Sequence, residues 1–118
     1  METKRAIEAL SALAHEQRIG VFRLLVEAGP GGMVAGEIAT SLDSRANTLS
    51  NNLNVLSGAG LIRSTREGRA IRYFAEMEGI SALLSFLMED CCGGRPELCK
   101  PILDAISCNG APNCPPKT

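Results

Sequence analysis

The run VAGEIATSLDSRANTLSNNLNVLSGAGLIRSTREGRAIRYFA, Val34–Ala75, decides how this chain folds. Val34, Ile38 and Leu42 recur at helical spacing and mark one face of a short helix. Asp43 and Ser44 follow; both compete for backbone hydrogen bonds and favour turns and caps. A second helix is expected from about Arg45 to Ala59, with Leu49, Leu53 and Leu56 inward. Arg45, Asn47, Thr48, Ser50, Asn51 and Asn54 are expected to face largely outward. Gly60 stands where a helix ends with a glycine. Two β-prone runs, Leu61–Arg66 and Ala70–Ala75, meet at Glu67-Gly68-Arg69, where Gly68 supplies a positive φ.

Helix, turn, helix, hairpin is the order of a winged helix-turn-helix, a mainly α fold with a β-hairpin wing. The outer face of the second helix carries short polar side chains of the kind that reach base edges. Between Arg45 and Arg72 there are five arginines against one acid, Glu67. On this reading Arg45, Asn47, Thr48, Ser50 and Asn51 face a major groove. Arg66, Arg69 and Arg72 hold phosphates or enter a minor groove. A small structural helical domain with a solvated hairpin is the plainer alternative, but it leaves unexplained why the polarity is gathered on these elements.

The chain has 118 residues and a formal net charge of −1, a size suited to one domain. Near-neutrality argues against bulk coating of nucleic acid, yet a local basic stripe suffices for a local footprint. With one Tyr and three Phe, the core must be built from Leu, Ile, Val and Ala. No apolar run reaches transmembrane length, and Met1–Arg5 lacks the apolar segment of a signal peptide. A cytoplasmic protein without membrane contact is expected, its five cysteines reduced.

Upstream, Ala6, Ile7, Ala9, Leu10 and Leu13 form a helical stripe. A second helix from about Glu16 ends at Gly29-Pro30-Gly31-Gly32. His15, the sole histidine, has no Cys or Asp close by and is read as a helix-start or surface residue. Downstream of the hairpin, Ile80–Asp90 is apolar on most sides and needs more cover than so small a domain provides. A second copy around a two-fold axis supplies it, with Ile80, Leu83, Leu84 and Leu87 against the partner together with Ile7 and Leu10.

Ala12-Leu-Ala-His-Glu-Gln-Arg18, Ser50-Asn-Asn-Leu-Asn-Val-Leu56, Ala59-Gly-Leu-Ile62 and Arg66-Glu-Gly-Arg69 resemble the ArsR/SmtB family of bacterial metal-sensing repressors, in particular its arsenic-responsive branch. The likeness covers roughly residues 3–92 and implies a homodimer held by the first and last helices. Two departures stand out. Many members carry His where this chain has Asn52, and members that sense through the first helix of the motif carry a Cys-x-Cys pair there. The corresponding Met33–Ile38 has no thiol.

The thiols lie elsewhere. Cys91, Cys92 and Cys99 follow the last expected helix: residues 1–92 are read as the DNA-binding and dimerisation domain, with Cys91 and Cys92 at its end, and residues 93–118 as an extension that holds Cys99 and closes on a tail read as mobile from Ser107. Adjacent cysteines make a poor disulfide, because consecutive Cα atoms are only about 3.8 Å apart. Gly93 and Gly94 free the backbone to turn both thiols toward one ion, with Cys99 folding back as a third. Three sulfurs without imidazole or carboxylate suit a soft centre, and trivalent arsenic or antimony is satisfied by three. Zinc needs a fourth ligand, for which Cys108 and Cys114 are candidates. The function expected is an arsenite-responsive repressor that releases operator DNA, with no organic cofactor. A thiol redox switch on the same fold is the rival, and a zinc-held interaction module a third reading. An enzyme is disfavoured, since no nucleophile–base pair or phosphate-cradling loop is present.

Overall fold

A computed structural model describes residues 1–88 of the chain. Its elements are α1 (Thr3–Leu13), α2 (Glu16–Ala28), β1 (Met33–Val34), α3 (Ala35–Leu42), α4 (Ala46–Gly58), β2 (Ile62–Glu67), β3 (Ala70–Ala75) and α5 (Met77–Leu87). The strands form one antiparallel sheet in the order β1-β3-β2. Leu25, Ile38, Leu53, Leu56, Leu61, Leu83 and Val21 are the largest fully buried side chains, so the core is aliphatic as the scarcity of aromatics requires.

The junctions are set by local chemistry. His15 caps α2, its Nδ1 accepting from the Gln17 amide at 3.2 Å. Arg18 reaches back to the end of α1 and donates through Nε to the Ala12 carbonyl at 2.6 Å. Between α3 and α4, Asp43 takes the left-handed conformation at φ 49, and the Ser44 amide bonds the Ala39 carbonyl. After α4, Leu61 N–H bonds Leu56 C=O at 3.1 Å and Gly60 N–H bonds Ser57 C=O at 3.0 Å, a Schellman ending that needs the φ of 78 at Gly60. In the hairpin Glu67 pairs with Ala70 across Gly68-Arg69, and Gly68 has φ 63.

Three expectations change. Val34 is not on the inner face of a helix: β1 pairs Met33 with Tyr73 and Val34 with Arg72, and Val34 becomes the cap residue of α3. The Glu37 carboxylate accepts its amide at 3.1 Å. The stripe on α1 divides in two, because Ala6, Ala9 and Ala12 pack inward while Ile7 and Leu10 remain 57% and 43% exposed. Leu83, expected against a partner chain, is 2% exposed and belongs to this chain's own core. Ile80 also packs on that core, whereas Leu84 and Leu87 are 43% and 50% exposed. Asp90, the expected end of the last helix, lies outside the described residues.

The last helix meets the rest of the fold at its own start. The Glu76 amide bonds the Leu61 carbonyl at 2.8 Å. A Cβ on Gly79 would collide with the Gly60 carbonyl oxygen, so only glycine allows α5 this close to the end of α4.

Candidate nucleic-acid interface

Along α4 the residues divide by face. Leu49, Asn52, Leu53 and Leu56 are buried, while Asn47, Ser50, Asn51 and Asn54 are exposed and Thr48 is half-buried. Arg45 is exposed at the cap position of the helix, next to the first free amides. The outer face therefore offers hydroxyls, amides and one guanidinium, with no acid among them. Asn52 does not belong to that face. It is 6% exposed, and its Nδ2 donates to Gln17 Oε1 at 3.1 Å, tying α4 to α2.

Two of the arginines counted in the basic stripe are engaged inside the chain. Arg63 lies 4.4 Å over the Phe74 ring and 3.7 Å from the Glu76 carboxylate. Arg72 donates from Nε to both Glu67 oxygens, at 3.1 and 3.0 Å, and from Nη1 to the Gly31 carbonyl at 3.1 Å. Arg72, expected to hold phosphate, is a brace between β3, β2 and the turn before β1 in this structure. Among the described residues Arg45, Arg66 and Arg69 make no ion pair, and all three are exposed. Arg69 sits at the wing's turn with Gly68, and Arg66 is opposite Ile71 near the tip. The result is a polar helix face and a basic wing tip on one short stretch of chain, both open to solvent.

Residues 13–65 match the helix-turn-helix domain family. A biofilm growth-associated repressor of Agrobacterium fabrum is 33% identical over 98 residues, covering 80% of this chain and 81% of that protein. Among solved structures, the homodimeric winged helix-turn-helix DNA-binding domain of a possible ArsR-family regulator from Mycobacterium bovis matches with TM-score 0.60. It is 27% identical and covers 74% of this chain and 81% of its own. This chain belongs to the ArsR family of winged helix-turn-helix transcriptional regulators. An ArsR-like regulator from Rhodococcus shares the fold with TM-score 0.66 at 24% identity, over 91% of this chain and 93% of that one.

The expected thiol site of this ArsR-family chain, Cys91, Cys92 and Cys99, lies outside the described residues, as do Cys108 and Cys114. Among the described residues no three His, Cys, Asp or Glu side chains come together as a metal centre. No helix in the described residues is long and apolar enough to cross a membrane. Three residues with structural roles escaped the sequence pattern. Asn52 looked like one more polar residue on a polar helix, and only its position in the 49/52/53/56 set marks it as inward. Arg18 and Gly79 act through backbone contacts that no periodicity reports.

Proposed function

We propose that this protein is a dimeric transcriptional repressor that holds an operator when its thiols are free and releases it on binding trivalent arsenic. The observation that carries the DNA half is the exposed Arg45, Asn47, Ser50 and Asn51 face of α4 beside Arg66 and Arg69 of the wing, which are exposed and without an ion pair among the described residues. The helix reads base edges in the major groove, and the wing arginines hold the backbone. Thr48, half-buried, contributes through its edge. The repressor named above from Agrobacterium supports this direction of control.

Dimerisation proceeds through α1 and α5, which pack beside each other and leave Ile7, Leu10, Leu84 and Leu87 uncovered. The homodimeric relative from Mycobacterium supports a two-chain assembly. A two-fold dimer presents two α4 helices, which is how a winged helix reads a symmetric operator.

The sensing half rests on sequence. The first 90 residues contain no cysteine, and all five lie between Cys91 and Cys114. Cys91, Cys92 and Cys99 take one arsenic as As(OH)₃: three As–S bonds form, three As–O bonds break, and the three thiol protons leave in three waters. No electron moves. Antimony undergoes the same exchange. Release of DNA then requires that the arsenic-bound dimer fit the operator worse, a coupling free energy between the two sites.

The experiment is operator release by arsenite in excess reductant, for the full-length chain and two double variants. Cys91→Ser with Cys92→Ser should keep operator affinity and lose the response. Cys108→Ser with Cys114→Ser should respond nearly as wild type. A normal response from the first pair ends the arsenic reading. Release by peroxide but not by arsenite transfers the site to thiol redox chemistry.

A further inference from the structure

Helix α4 is held on the core by packing that has little direction. Leu49, Leu53 and Leu56 seat it there, and aliphatic contacts of this kind do not depend on angle. Among the described residues one hydrogen bond joins a side chain of α4 to another element: Asn52 Nδ2 donates to Gln17 Oε1 at 3.1 Å. Asn52 is buried, whereas Gln17 lies at the surface near the start of α2, its own amide held by His15 Nδ1. A cavity of about 340 Å³ borders the pair and leaves room for an isosteric side chain at position 52. Such an amide pair contributes little net stability, because both groups give up water to form it. What it supplies is direction. A helix with its side chains is about 10–12 Å across, so turning it by about 20° carries an outer tip about 2 Å, more than a hydrogen bond to a base edge tolerates. Aliphatic packing alone loses uniqueness before it loses stability.

We infer that the Asn52–Gln17 bond sets the rotation of α4 about its own axis, and so decides how Asn47, Ser50 and Asn51 meet base edges. Asn52 is a positioning residue that does not touch DNA, while its exposed neighbours Ser50 and Asn51 do the reading. The inference rests on the proposed role of α4 as the recognition helix. It adds that operator preference depends on a residue of α2, outside the α3–α4 motif and on the buried side of α4.

The test uses full-length, reduced, arsenic-free protein and two duplexes, one that wild type selects from a randomised pool and one scrambled from it at the same composition. The quantity read is the ratio of the two affinities. Asn52→Leu keeps the shape and removes the donor, and Gln17→Met removes the acceptor from the other end. Each should lower the ratio at least about tenfold, the scale of one lost base contact, with the salt slope unchanged. Asn52→Leu should melt no lower than wild type, since Gln17 is at the surface and turns to water. Gln17→Met alone leaves a buried amide unpaired, and the double variant removes that cost. The double variant should lose no more than the larger single loss, as partners in one bond do. Asn52→His puts a ring N–H where the Asn52 donor stands and should recover most of the ratio. An unchanged ratio in Asn52→Leu, an equal loss on both duplexes, losses that add in the double variant, or Asn52→His no better than Asn52→Leu overturns the positioning role while the operator reading stands. A wild type that binds both duplexes alike overturns the operator reading, and the positioning role with it.

Discussion

Arg69 and Arg72 lie three residues apart on the wing, one exposed without an ion-pair partner among the described residues and the other held by Glu67 and the Gly31 carbonyl. Their replacements should therefore fail differently. Arg69→Ala should weaken binding to all duplexes and lower the slope of log K against log salt by about one, with no change in thermal stability. Arg72→Ala should lower stability by about 1 kcal/mol, the scale of a charged hydrogen-bond set at a partly exposed site, and affect DNA only through a looser wing. Salt-dependent anisotropy alongside thermal melts separates the two, and equal salt slopes for both variants would contradict the brace. Gly79 gives a sharper case. Its Cβ would have to displace the Gly60 carbonyl, so Gly79→Ala should cost about 3 kcal/mol or more, lowering Tm by roughly 10 °C. An unchanged melt would mean that α5 approaches α4 less closely than described.

At the level of elements, α4 and the hairpin were legible from residues 34–75 because their signals are local. A leucine every three or four residues sets the helix face, Gly60 ends it, and Gly68 closes the hairpin. What escaped was non-local. The strand role of Val34 exists only because Tyr73 and Arg72 lie beside it, some forty residues away in sequence. Likewise the helical stripe of α5 shows that Leu83 and Leu84 are apolar, but adjacent residues point to different faces, and only packing tells which face meets this chain's core. That difference yields a prediction. Leu83→Ala should lower stability by about 2–5 kcal/mol through a cavity. Leu84→Glu should leave the isolated fold nearly intact and raise the dimer dissociation constant at least about a hundredfold, by burying an unpaired charge. Sedimentation and denaturant unfolding check both; loss of stability without loss of assembly in Leu84→Glu would move the interface off α5.

In the proposed function the whole molecule joins two roles on one frame, DNA contact at α4 and the wing and thiol chemistry in the sequence after α5. The contact of Gly79 with Gly60, together with the Glu76–Leu61 hydrogen bond, places the start of α5 directly against the end of the recognition helix. A shift of α5 on ligand binding therefore has a short route to α4. The candidate thiol site was legible only as composition and spacing, since a metalloid centre is defined by distances between sulfurs that spacing alone does not set. Its chemistry still has a pH signature. Thiols titrate near about pH 8.5, and below that the exchange of three thiols for three hydroxyls moves no net proton. Equilibrium release by arsenite should be nearly flat with pH there, while its rate, carried by the thiolate, rises. A stopped-flow series against an equilibrium titration at each pH would show both; an affinity that falls steeply with acid would point to ligands other than neutral thiols.

The central claim is that arsenic and operator are mutually exclusive ligands of this dimer. The most direct measurement is fluorescence anisotropy of a duplex selected by the full-length protein from a randomised pool, titrated with and without arsenite in excess reductant. The prediction is tight, salt-dependent binding of one dimer per duplex without arsenite, and affinity reduced at least about tenfold when arsenite is saturating, consistent with couplings of 1–3 kcal/mol. An operator affinity that is the same in both titrations would contradict it.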